Sequence, residues 1–236
     1  MSTATLVALA LTVAVAAFVQ GSSGLGFALI VAPVAGILSP GLLPGFVLAA
    51  MIPLNLYVAW RERASLDLRG AGWITAARLA ATPGGLALLW LIPDRSLGLF
   101  VGVATVLAAV VSLAAPAFAP GRVAYLGAGA VTGLTETATG VGGPPLALVY
   151  QHRPPAELRS TVAVCFLVGE LASLALLFAT GEGHPADLGW ALALLPAIAV
   201  GAWASRLVRH RMNASRMRLF VLGFALVSGL VLMLGP

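Results

Sequence analysis

The sequence predicts an all-α integral membrane protein: an inverted repeat of two halves, each a re-entrant or short helical hairpin plus three transmembrane helices. Three observations carry this. Hydrophobic residues make up 60% of the 236 positions and charged residues only 9%, against about 25% charge in a soluble domain. One core of a chain this short cannot hide so much apolar surface, so lipid must be part of the solvent. Two glycine-rich polar breaks, one in each half, interrupt the apolar pattern. The 13 basic residues are all arginine, and they fall in short clusters between apolar runs. Despite a net charge of +5, that is loop charge at a membrane surface and not a nucleic-acid footprint.

The first apolar stretch begins at Leu6 with no Lys or Arg before it. It lacks the charged start of a signal peptide and reads as a retained membrane segment. Apolar runs at about 3–19, 26–38, 42–60, 71–92 and 96–118 recur at about 123–134, 143–150, 160–180, 188–205 and 218–235. A full span needs about 20 residues, and 42–60, 71–92, 96–118, 160–180, 188–205 and 218–235 come close enough. The runs 26–38, 123–134 and 143–150 are too short, since a helix of about 12 residues reaches only about 18 Å. These short runs flank the breaks. The first break is Gln20-Gly21-Ser22-Ser23-Gly24-Leu25-Gly26. The second is Thr135-Glu136-Thr137-Ala138-Thr139-Gly140-Val141-Gly142-Gly143-Pro144. One shift of the first half along the second sets Gly24 on Gly140, Gly26 on Gly142 and Gln20 on Glu136. Leu99-Phe100-Val101 also resembles Leu219-Phe220-Val221 at a slightly larger offset. The chain therefore reads as a duplication, with repeats at 1–118 and 119–236.

Arginine placement sets the topology. If each short pair folds as a hairpin entering and leaving on one side, the loops holding Arg61, Arg63, Arg69, Arg122, Arg153, Arg159, Arg206, Arg209, Arg211, Arg216 and Arg218 share one face. Only Arg95 then lies opposite, and Arg78 falls within a run. If each pair is one broken span, Arg61, Arg63, Arg69 and Arg122 move to the wrong side. The positive-inside rule favours hairpins. Hairpins also reverse the sense of the halves: loop 61–70 is basic and cytoplasmic, while 181–187, carrying Glu182 and Asp187, lies outside. Inverted repeats of this kind are common in secondary transporters. Both termini are expected outside.

Non-helical backbone at membrane depth must be buried in protein or line a wet cavity. Two inverted hairpins would bring their tips together near the midplane, where such transporters place their sites. Each second arm begins at a tip, near Gly26 and near Pro144, so its free N–H groups face inward. Pro144 suits a first helical turn. The candidate binding residues for a small anion are Gln20, Ser22, Ser23, Gly24, Gly26, Thr137, Thr139, Gly140, Gly142 and Gly143, the hydroxyls acting as donors. Close helix packing through small residues is the competing reading of the glycines. Glu136 and Glu170 are acids within the membrane region, where an ionised group costs at least about 2.5–3.5 kcal/mol. Either is a candidate to carry a proton. For Glu136 the structural alternative is a protonated acid donating to a freed backbone carbonyl, and the partner of Glu170 is not legible. Arg78, about two turns into its run, either contacts the anion, which guanidinium suits, or snorkels to the cytoplasmic surface. Asn55 follows Pro53 and roughly matches Glu170 in the repeat. It either contacts the ligand or satisfies a backbone group freed by the proline. Cys165, the single cysteine, reads as a small buried hydrophobe.

Thr139-Gly140-Val141-Gly142-Gly143-Pro144, its weaker copy Ser23-Gly24-Leu25-Gly26-Phe27, the duplication and the length resemble the TauE/SafE family of sulfite and organosulfonate exporters, over essentially the whole chain. The first copy departs from the pattern by placing Phe27 where glycine is usual and by lacking the proline that follows. The resemblance implies transport of a small anionic sulfur compound, sulfite or an organosulfonate, across a bacterial inner membrane. It implies no cofactor, and it leaves open the use of protons and an oligomeric state. A passive channel with paired half-membrane hairpins is the rival, although neither tip carries Asn-Pro-Ala. An enzyme is disfavoured, because His152, His184 and His210 lie in loops without the spacing of a metal site or triad.

Overall fold

The computed structural model describes residues 2–114, 120–208 and 214–234. Arg209, His210 and Arg211 lie outside the described residues, as do the side chains of Arg95, Arg216 and Arg218. Among the described residues there is no strand, and eleven α-helices follow in order: α1 (Thr3–Ser23), α2 (Phe27–Leu38), α3 (Gly45–Arg61), α4 (Leu68–Leu91), α5 (Asp94–Ala114), α6 (Arg122–Thr139), α7 (Gly143–Tyr150), α8 (Pro155–Thr180), α9 (Pro185–Ala193), α10 (Leu195–Val208) and α11 (Ala214–Leu234). The helices α1, α4, α5 and α8 are long and apolar enough to cross a membrane. The pair α9 and α10, bent by 49° at its break, makes a fifth crossing if read as one span, while α2 and α3 are shorter apolar helices. The chain is thus a helical, multi-pass membrane protein.

The polar breaks are shorter than the sequence suggests. The first apolar run ends near residue 19, yet α1 continues through Gln20 to Ser23, and α6 runs through Glu136 to Thr139. Hydroxyls explain this. Ser22 Oγ donates to the Phe18 carbonyl at 2.8 Å, Ser23 Oγ to Val19 at 2.9 Å, Thr135 Oγ1 to Val131 at 3.0 Å and Thr139 Oγ1 to Thr135 at 2.7 Å. Each folds its polar end back onto its own helix. What remains irregular is Gly24–Gly26 and Gly140–Gly142. As a result α1, with 21 residues, is nearly twice as long as α2, with 12. The two arms of the first hairpin are unequal.

Small residues set the helix pairs. Gly129 of α6 sits against the Ile74 carbonyl of α4, and Gly133 sits one turn on against the Arg78 carbonyl, so the two helices run parallel. Gly201 of α10 meets the Ala14 carbonyl of α1, and Gly21 meets Ser205, again parallel. Gly102 of α5 faces the Gly229 carbonyl of α11, and Gly98 faces Leu232, so this pair is antiparallel. Antiparallel also are α3 and α8, joined by Asn55 to Glu170 and by Glu62 to Arg159. A methyl at Gly133 would strike backbone that cannot yield. Gly133→Ala is therefore expected to destabilise the protein by about 1–3 kcal/mol. In the same helix an added Cβ at Gly127 meets nothing within 4 Å, so Gly127→Ala should be neutral or mildly stabilising. Melting midpoints of the two detergent-purified variants check this pair.

One helix end is pinned outside the spans. Asp67 caps α4 by accepting from the Gly70 amide at 2.9 Å, and it accepts from the Tyr150 hydroxyl, at the end of α7, at 2.8 Å. Burial pushes its carboxyl upward, but those hydrogen bonds and the charge of Arg153 outweigh it and hold Asp67 below the usual carboxylate range.

Candidate functional site

The two breaks share a local geometry. Gly24 (φ 89) and Gly140 (φ 78) each end a helix in the left-handed region, which L side chains rarely adopt. Their amides donate, at 2.7 Å each, to the carbonyls of Gln20 and Glu136. Gln20 and Glu136 therefore occupy equivalent places, one turn before a turning glycine. Beyond that the breaks differ. Gln20 Oε1 accepts from the Phe27 amide at 3.0 Å, so one free N–H at the start of α2 is already satisfied. The second break is held by Thr132 Oγ1 donating to the Gly142 carbonyl at 3.0 Å and by the Val141 amide donating to Thr139 Oγ1 at 3.0 Å. The tips approach one another: a Cβ at Gly143 would lie 3.5 Å from Leu25 Cδ2. Gly24 packs beside Leu158 and Arg159 at the start of α8, and Gly140 packs beside Val47 at the start of α3.

Arg78 does not snorkel. It is 0% exposed, on α4, and pairs with Glu136 of α6, also 0% exposed. Its Nη1 donates to the Cys165 carbonyl at 2.8 Å, and its guanidinium carbon lies 5.4 Å from the Phe166 ring centre. Gly169, one turn along α8, leaves the room it occupies, since a Cβ there would collide with the guanidinium. Glu136 thus faces a cation, where the sequence offered a carbonyl as its structural partner. Gly142 admits it closely, a Cβ there lying 2.7 Å from Glu136 Oε2. Apart from the ion pair, Arg78 Nε and both Glu136 oxygens have no hydrogen-bond partner among the described residues.

Glu170, 0% exposed, finds its partner in Asn55. Asn55 Nδ2 donates to Glu170 Oε1 at 2.7 Å, and Asn55 Oδ1 accepts from Gln20 Nε2 at 2.8 Å. Asn55 therefore does not serve a carbonyl freed by Pro53. It bridges α1 to α8. The hydroxyls of Ser22, Ser23 and Thr139 donate to backbone carbonyls, and Thr137 Oγ1 pairs with Ser173 Oγ at 2.8 Å. Ser22 lies at a separate cluster. Its carbonyl accepts from Arg159 at 3.5 Å and the Gly21 carbonyl from Arg61 at 3.3 Å, while Glu62 pairs with both arginines at 2.8 Å. Of the glycines, Gly24, Gly26, Gly140 and Gly142 shape the turns, and Gly143 stands at the tip contact. Among the described residues no group of three His, Cys, Asp or Glu side chains is placed to hold a metal ion.

Sequence reasoning named Arg78, Glu136, Gln20, Asn55 and Glu170 but missed what surrounds Arg78, namely Gly169, the Cys165 carbonyl and Phe166, and missed Ser173 as the partner of Thr137. The one available signal was Gly169 itself, a helix-interior glycine directly before a buried acid.

A family model described as Sulfite exporter TauE/SafE matches residues 9–232. Neither the curated proteins nor the solved structures contain a match to the chain.

Proposed function

Because the chain belongs to the TauE/SafE family of sulfite exporters, we propose that it is a secondary transporter moving a small sulfur-containing anion, sulfite or an organosulfonate, outward across a bacterial inner membrane by alternating access. The observation that carries this reading is the Arg78–Glu136 pair, fully buried beside the second break. A guanidinium is the natural partner of a planar or pyramidal oxyanion. In the closed protein its charge is met by Glu136. An arriving anion competes with Glu136 for Arg78, and the displaced carboxylate is stabilised by taking a proton. Substrate and proton are thereby linked through one cation.

The helix pairing supports an inverted repeat. Shifting one half onto the other sends α1 to α6 and α4 to α9–α10, so the α4–α6 and α1–α10 pairs exchange. The same shift sends α3 to α8 and α5 to α11, and each of these pairs is antiparallel. Antiparallel counterpart pairs are what a two-fold axis in the membrane plane requires. Repeats at 1–118 and 119–236, with both termini outside, are the reading that this axis and the arginine topology support. The binding region then comprises Arg78 with Gly140, Gly142, Gly143, Thr137 and Thr139 of the second break. From the first side come Gly24, Gly26, Gln20 and Asn55, with Ser22 and Ser23 at its rim.

Complete burial of the charged centre favours a carrier over a static pore, since the anion reaches Arg78 only when helices move. The Glu62–Arg61–Arg159 cluster, holding the end of α1 to α3 and α8, is placed to close the arginine-rich face. Export needs no coupling ion, because an inside-negative potential drives an anion outward by about 2.3 kcal/mol per charge per 100 mV. Proteoliposomes loaded with sulfite or taurine test the proposal. Saturable, slow exchange is expected, with a pH dependence that Glu136→Gln removes. Non-saturating flux at channel rates would overturn the carrier, and flux unchanged in Glu136→Gln would sink the proton role.

A further inference from the structure

A buried hydrogen-bond string leads from the first tip to Glu170, and its polarity is forced. The Phe27 amide can only donate, so Gln20 Oε1 accepts and Gln20 Nε2 must be the donor. Nε2 reaches Asn55 Oδ1, which leaves Asn55 Nδ2 to donate onward to Glu170 Oε1. Glu170 Oε1 is therefore the accepting oxygen, a role that the carbonyl oxygen of a carboxyl fills better than its hydroxyl. The other oxygen, Oε2, is buried and has no hydrogen-bond partner among the described residues.

The charges around this acid do not neutralise it. Arg78 on α4 is paired with Glu136 and tied to the Cys165 carbonyl. Glu136 on α6 acts on Glu170 as a like charge and Arg78 as an opposite one. The element α3 presents only the Asn55 amide, α1 only Gln20, and α8 itself adds the buried Cys165 thiol. With both acids ionised, the centre would hold two anions and one cation out of contact with water. One proton removes the imbalance, and the forced polarity of the string leaves Oε2 as the oxygen to carry it.

We propose that Glu170 is a neutral carboxylic acid whose Oε2–H is a hydrogen-bond donor for the transported oxyanion, beside the charge of Arg78. The proton comes from solution (RCOO⁻ + H⁺ → RCOOH) and stays on Glu170, while Glu136 takes up a proton only when the anion displaces it from Arg78. This deepens the transporter reading and rests on it for the identity of the ligand class, a small oxyanion with free lone pairs. A hydroxyl donor needs an acceptor oxygen that carries no hydrogen, which sulfite and sulfonate groups supply. Asn55 and Gln20 act as positioning residues that fix which oxygen of Glu170 holds the proton.

The test uses the purified full chain. Infrared spectra near neutral pH should show a protonated carboxyl stretch that is absent in Glu170→Gln and present in Glu136→Gln. Sulfite binding should survive Glu170→Gln within about threefold, because the amide keeps an acceptor for Asn55 and an N–H at the place of Oε2. It should weaken about tenfold or more in Glu170→Leu, which has no donor. A carboxyl band that persists in Glu170→Gln, or unchanged affinity in Glu170→Leu, overturns the proposal. The infrared readout needs no substrate, so its failure leaves the transporter reading untouched. A wild-type protein that binds no oxyanion overturns both the donor role and that reading.

Discussion

Arg78→Met is expected to abolish anion transport and to lower stability by about 3–5 kcal/mol. Both effects have the same origin. Arg78 and Glu136 are each 0% exposed, and among the described residues they form an ion pair with each other. Removing the guanidinium leaves a carboxylate in a medium that cannot solvate it, and that exposed cost is larger than the net contribution of the intact pair. The double variant Arg78→Met/Glu136→Leu separates the two consequences. With both charges replaced by apolar groups of similar size, stability should return to the wild-type level or exceed it. Transport should not return, because nothing remains to hold an anion. Melting midpoints in detergent read the first property, and sulfite flux from proteoliposomes reads the second. A single variant that still transports at the wild-type rate would remove Arg78 from the site. A double variant as unstable as the single one would show that Arg78 stabilises by packing on Phe166 rather than by neutralising Glu136.

This pair also marks where sequence stopped being sufficient. The helices themselves were legible because hydrophobic length is dictated by the bilayer: the run 71–92 is α4, 160–180 is α8, and the bent run near 188–205 is α9 and α10. The motif from Thr139 to Pro144 was legible as a family resemblance, and the family match spans residues 9–232. The ends of α1 and α6 were not, because a serine or threonine near a glycine looks the same whether its hydroxyl caps its own helix or faces a ligand. Only the distances to Phe18, Val19 and Thr135 decide that. Arg78 had two readings that composition cannot separate, since a guanidinium about two turns into an apolar run can reach either the surface or a partner. That partner is Glu136, remote in sequence, and the contact exists only because α4 and α6 run parallel over Gly129 and Gly133. The repeat roughly matches Asn55 to Glu170 as corresponding positions, but the hydrogen bond between them is a property of α3 crossing α8.

Gly169→Ala, a change of one methyl group, is expected to cost about 1–3 kcal/mol and to reduce anion transport at least tenfold. Alanine is the better helix former by about 1 kcal/mol, so propensity alone predicts the opposite sign. Space decides. A Cβ at Gly169 would overlap Nε and Cζ of Arg78. The guanidinium has little room to withdraw, with Phe166 on one side and its Nη1 bound to the Cys165 carbonyl. Either the methyl pushes α8 away from α4, which strains the Asn55–Glu170 contact on the same helix, or it tilts Arg78 off Glu136. Both outcomes disturb the centre, and transport should fall more steeply than stability. Gly72→Ala provides the control: it lies in α4 like Arg78, but a Cβ there meets nothing within 4 Å, so melting point and flux should stay at or slightly above wild type. Shortening the cation tests the steric origin. In Gly169→Ala/Arg78→Lys the narrower ammonium can sit beside the methyl, so stability should recover relative to Gly169→Ala, while transport stays low because a lysine cannot grip an oxyanion with two parallel N–H groups. A Gly169→Ala protein with wild-type flux would mean that the Arg78 guanidinium does not occupy this position during transport.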